Sequence, residues 1–167
     1  MFWTKKTKFF NNDEEKQIMA AIRTAETASS GEIRLYVESN CADSVEKRTV
    51  AVFKKLKMYR TRERNGVLIY IAKESRKFAI FGDEGIHKAM GFSFWTTEAA
   101  TLKTYLSDDK IVEGVCKVAV DIGEALRSHF PHPPDDKNEL SDKPVYGKWT
   151  TNLTNLRIQR ITFSGHS

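Results

Sequence analysis

Arg64–Gly85, RNGVLIYIAKESRKFAIFGDEG, places two apolar runs around the polar turn Lys73–Arg76 and ends on an acidic loop between two glycines. The first run, Gly66–Ala72, is apolar on both faces, as a strand is when helices cover it on both sides. KESR is too short to carry the chain across a sheet, so Lys77–Phe81 must return antiparallel as a hairpin.

Upstream, EIRLYVE (Glu32–Glu38) alternates strictly, with Ile33, Leu35 and Val37 on one face, and reads as a strand with one buried side. Between the two strands, Asp43 or Ser44 can cap a helix whose stripe is Val45, Val52, Phe53 and Leu56 and whose last turns collect cations. Strand, helix and strand at this spacing form a right-handed parallel βαβ unit. Before it, Asn12 or Asp13 opens a helix over about 13–28, with Ile18, Ile22 and Ala25 on one side. After Gly85 come a short helix to Met90, a helix carrying Trp95, Ala99, Leu102 and Leu106, and a long helix from about Asp108 to Phe130 that stops before PHPP. The fold class expected is α/β: a three-layer α/β/α sandwich on a mixed sheet, with a parallel βαβ unit and an antiparallel hairpin.

The composition, 40% hydrophobic and 29% charged over 167 residues, suits one globular domain, expected over 1–148 with 131–148 loosely ordered. The segment 149–167 is expected to be a mobile appendage that adds little to the core. The formal charge is +5, but the first 148 residues hold 25 basic groups against 22 acidic, so nucleic acid is not the favoured partner. The longest apolar run, Val67–Ala72, is far short of the ~20 residues that span a bilayer. Lacking a secretory h-region behind its first lysines, the chain is assigned to the cytoplasm with no membrane role, and Cys41 and Cys116 to free thiols.

The strand directions bring three loops to one edge of the sheet: Ser30-Gly31-Glu32, Arg64-Asn65-Gly66 and Gly82-Asp83-Glu84-Gly85. If the long helix packs across the sheet with its start toward that edge, Asp108 and Asp109 join them. Oxygens from Glu32, Asn65, Asp83, Glu84, Asp108 and Asp109 would suit Ca²⁺ first, or Mg²⁺. Helix capping explains Asp83, Glu84, Asp108 and Asp109 equally well, because carboxylates favour the positive end of a helix.

Other chemistry is sparse. Lys54, Lys55, Lys57, Arg60, Arg62 and Arg64 form the densest basic stretch, read as a solvated helix end. CADSVEK, from Cys41, has Lys47 where a cysteine phosphatase needs arginine, and there is no D-x-D pair, G-x-S-x-G elbow or P-loop. His87, His129 and His132 are scattered, and a metal-activated water is the hydrolytic route that remains.

TRERNGVLIYIA, RKFAIFGDEGI, SGEIRLYVE and the closing DDKNELSDKPVYGK resemble the TPM domain family, also called the TPM phosphatase family, in its short cytosolic bacterial branch. The resemblance covers roughly residues 8–148. It implies the same sandwich and a sheet-edge site associated with Ca²⁺, at Glu32, Asn65, Gly82, Asp83, Gly85, Asp108 and Asp109. Relatives linked to acid phosphatase activity make a metal-assisted phosphomonoester hydrolase, with Arg64 steadying the phosphate, the alternative. The first expectation is a Ca²⁺-binding module that works through a protein partner, as a monomer, with no turnover of its own.

Overall fold

The computed structural model describes residues 9–132, 143–147 and 163–166, the last through the backbone alone. Helix α1, Asn12–Glu26, opens on Asn11, whose side chain accepts from the Glu14 backbone while Glu14 reaches back to the Asn11 N–H. That capping box satisfies two otherwise unpaired donors and fixes where the helix begins. Strand β1, Glu32–Glu38, and strand β2, Gly66–Ala72, run parallel, joined by α2, Val45–Lys55, which Ser44 caps. A short 3₁₀ turn, Met58–Arg60, leads from α2 toward β2. Strand β3, Lys77–Gly82, returns antiparallel to β2 around the Lys73–Arg76 turn, as the sequence predicts.

Helices α3 (Glu84–Met90), α4 (Phe92–Ser107) and α5 (Ile111–His129) follow, then β4, Val145–Tyr146, and β5, Phe163–His166. The sheet order is β4-β1-β2-β3-β5, with β4 parallel to β1 and β5 antiparallel to β3. Phe163–His166 thus joins the free edge of β3, where unpaired backbone groups accept a further strand, and does not stand apart from the sheet. Residues 133–142, 148–162 and 167, which hold most of the expected loose segment and tail, lie outside the described residues.

One face of the sheet packs Ile33, Leu35, Val37, Val67, Ile69, Ile71, Phe78 and Ile80 against α1, α4 and α5. The other packs Tyr36, Leu68, Tyr70, Ala79 and Phe81 against α2. These are the three layers expected. Strand β2 is buried over its whole length, because both layers lie on it.

The direction of α5 decides what reaches each end of the sheet. Its last turn lies at the start of β1: the Ser30 N–H donates to the Phe130 carbonyl at 3.0 Å, and a Cβ added at Gly31 would fall 2.3 Å from Leu126. The first turn therefore sits at the far end, where Asp109 and Ile111 share a pocket with Ile71, Ala72 and Lys73.

Candidate functional site

Three loops do converge where β1 and β2 begin and β3 ends, since Glu32 pairs with Gly66 and Val67 with Gly82. Asp83 is fully buried there. It caps the short helix α3 through Glu84 N–H to Oδ1 at 2.8 Å. Arg64, with the positive φ of 52°, lays its guanidinium on the same carboxylate, Nε 2.6 Å from Oδ2 and Nη2 3.0 Å from Oδ1. This bidentate fork raises the Arg64 pKa further above its ordinary value, with the Asp83 hydrogen bonds as the main cause and burial opposing. The remaining nitrogen, Nη1, lies 3.5 Å from the exposed Glu84 carboxylate.

A second set of bonds ties the other two loops. Asn65 Nδ2 donates to Ser30 Oγ at 2.9 Å, and Ser30 Oγ donates to Glu63 in a short bond. Thr61 Oγ1 accepts from the Asn65 N–H at 3.1 Å, which holds the loop before β2. Asn65 Oδ1 is buried and has no hydrogen bond among the described residues. Glu32 is buried beside Arg34, whose guanidinium is pulled below its ordinary value by burial, with Glu32 opposing.

Asp108 and Asp109 do not belong to this edge. Asp108 ends α4, Asp109 takes a positive φ of 56° in the turn, and α5 begins only at Ile111. The long helix runs antiparallel to β1, so it brings its C-terminus to the loop edge, and the expectation that its N-terminus completes the ligand set is corrected. The sequence places Ser30 and Arg64 in the converging loops without a bond for either, and it does not point to Glu63 or to the Arg64–Asp83 pairing. The hairpin register held the signal: with Ala72 opposite Lys77 and Val67 opposite Gly82, counting outward sets Arg64 opposite Gly85, beside Asp83.

The donors Glu32, Asn65, Asp83 and Glu84 are hard oxygens, the type Ca²⁺ takes. Their arrangement does not fit a preformed site. Arg64 already stands at Asp83 as the counter-cation, and among the described residues no group of three or more His, Cys, Asp or Glu is placed to hold a metal ion. The same fork commits the Nε/Nη2 face of Arg64 to Asp83, and its Nη1 leans toward Glu84. Burial pushes the Cys41 thiol up, away from the reactive thiolate.

A separate polar cluster lies under α2. Buried Arg48 grips buried Glu38 through Nε at 2.7 Å and Nη2 at 2.9 Å, while Tyr70 donates to Glu38 and stacks on Tyr36. It is enclosed by the second core and reads as internal support for β1 and β2.

The TPM domain family model matches residues 3–125. The chain belongs to the TPM domain family. A similar solved structure is the NMR structure of BA42 protein from the psychrophilic bacterium Bizionia argentinensis, with 37% identity, a TM-score of 0.79, and coverage of 86% of this chain and 99% of that one. The N-terminal domain of cg2496 protein from Corynebacterium glutamicum shares the fold at 12% identity and a TM-score of 0.57, covering 91% of this chain and 97% of that one. No match was found among curated protein sequences. Among the described residues of this TPM-domain protein, no helix is long and apolar enough to cross a membrane.

Proposed function

We propose that this TPM-domain protein is a binding module that acts through a protein partner, using the loop edge at the start of β1 and β2, with no turnover of its own. The observation that carries the reading is the closed Arg64–Asp83 fork: the strongest charges at the edge are spent on each other and on holding three loops in one arrangement. Such an edge presents a fixed surface, whose preorganisation lowers the entropic cost of association. Ca²⁺ enters this reading as a competitor of Arg64 for Asp83, supported by the hard-oxygen donors and the buried, unpaired Asn65 Oδ1.

The test is a backbone-amide NMR titration of metal-stripped protein with Ca²⁺ and Mg²⁺, beside turnover of a model phosphate ester. The expected result is weak, non-saturating cation shifts and no turnover above that of the Asp83→Asn variant. Turnover that disappears in Asp83→Asn would overturn the binding-module reading in favour of a metal-assisted hydrolase.

A further inference from the structure

We infer that the end of α2 and the 3₁₀ turn after it form a docking surface for an acidic protein segment. The inference deepens the partner-binding reading above and rests on it. Lys54, Lys55, Lys57, Arg60 and Arg62 are all exposed, and none makes an ion pair or side-chain hydrogen bond among the described residues. Elsewhere Arg48 is paired with Glu38, Arg64 with Asp83 and Lys117 with Asp121, whereas here five cations lie within nine residues. From Lys54 to Arg62 there is no acid at all.

Helix-end electrostatics account for only part of this. The macrodipole acts on the last turn, which holds Lys54 and Lys55, and fades beyond it. Lys57, Arg60 and Arg62 lie past the helix and keep their charges exposed for no internal partner. Their backbone is nevertheless fixed. Met58 is completely buried, Lys57 takes a positive φ of 56°, Thr61 is buried, and a Cβ at Gly66 would lie 3.0 Å from the Met58 carbonyl. The result is a rigid knob of positive charge with Tyr59, 40% exposed, among the cations.

The knob stands at the same end of the sheet as the loop edge, because α2 runs back to the start of β2 and the chain continues through Glu63 into Arg64. Charge complementarity selects an acidic partner. Tyr59 is the one aromatic within Lys54–Arg62, where single-stranded nucleic acid takes successive stacking platforms. Among the described residues the knob also has no apolar anchor for a lipid surface: the other large exposed hydrophobics there, Phe92 and Val120, belong to α4 and α5 across the sheet. Tyr59 and the lysine stems instead suit the aliphatic and carboxylate groups of an acidic peptide.

The experiment titrates the full chain, followed by amide NMR, with an oligoglutamate peptide, an oligonucleotide of equal charge, and phosphatidylserine-containing vesicles. The peptide is expected to shift Lys54–Arg62 saturably. The Lys55→Glu/Arg60→Glu variant should bind it at least about tenfold more weakly, with an unchanged melting temperature, while Lys88→Glu/Lys103→Glu should bind as the parent does. Oligonucleotide or vesicles bound as tightly as the peptide would overturn the inference. So would equal loss in both variants, or peptide shifts confined to Ser30, Asn65 and Asp83; that last outcome would leave the partner-binding reading standing.

Discussion

Arg64 and Asp83 are joined twice over. The guanidinium grips the carboxylate at 2.6 and 3.0 Å, and the Arg64 carbonyl accepts from the Gly85 N–H at 2.8 Å, just past Asp83. Side chain and backbone of one residue thereby lock the start of β2 to the end of β3. Asp83 is fully buried and Arg64 is 35% exposed, so the pair is anchored on the carboxylate side and partly wet on the other.

Removing the guanidinium leaves a buried carboxylate without its bidentate counter-charge. Hydrogen bonds to charged groups contribute ~1.5–3 kcal/mol, so Arg64→Gln should cost ~2–3 kcal/mol. Asp83→Asn should cost less, because a neutral amide needs no counter-charge, while a carboxylate stranded in the core does. Urea unfolding of the two variants measures this, and equal destabilisation would show that the charge pairing is not what holds the edge.

The same substitution bears on the cation. With Arg64→Gln, Asp83 loses its internal counter-ion, and Ca²⁺ should produce saturable amide shifts at Asn65 and Gly82–Gly85 that the parent lacks. Asp108→Asn and Asp109→Asn should leave those shifts unchanged, since both residues sit at the opposite end of the sheet. Loss of the response in either aspartate variant would place the ion elsewhere.

How far the sequence reveals this edge follows from which interactions are local. The two-faced apolarity of Gly66–Ala72, the short KESR turn and the alternation of Glu32–Glu38 depend on near neighbours, and they dictate the three layers and the convergence of loops. The direction of α5 depends on contacts such as Gly31 with Leu126, far apart along the chain, and no local pattern states it. That is why local patterns alone place the acids before α5 in a site they do not reach. Strands β4 and β5 are two and four residues long, and their pairing is set by the strand edges they meet more than by their own composition.

Gly85 is required by close approach. A Cβ there would fall 2.0 Å from the Glu63 carbonyl and 2.7 Å from the Arg64 carbonyl, backbone atoms that have no rotamer to turn away. Gly85→Ala should therefore push the Glu63–Asn65 loop off the edge and cost ~1–3 kcal/mol, the usual range for overpacking. Amide shifts at Ser30, Arg64 and Asn65, together with a lowered melting temperature, are expected. An unshifted Ser30 would mean that the loop absorbs the methyl locally.

Glu98 should give the protein a pH dependence separate from the edge. It is buried on α4, and its pKa is pushed up to about 8, first by burial, then by the nearby Asp121 carboxylate and the hydrogen bond between them, with Lys117 opposing. The folded state thus holds a proton that the unfolded chain releases near the ordinary value of 4.5. Where the folded state binds more protons, stability falls as pH rises. The contribution is complete below about 4.5, declines from there to about 8, and is flat above. Glu98→Gln carries the protonated shape at every pH, so the difference in urea midpoint between variant and parent should be small in acid and grow in the variant's favour through neutrality. A difference that stays constant with pH would show that Glu98 is ionised in the fold and that its burial is relieved by water.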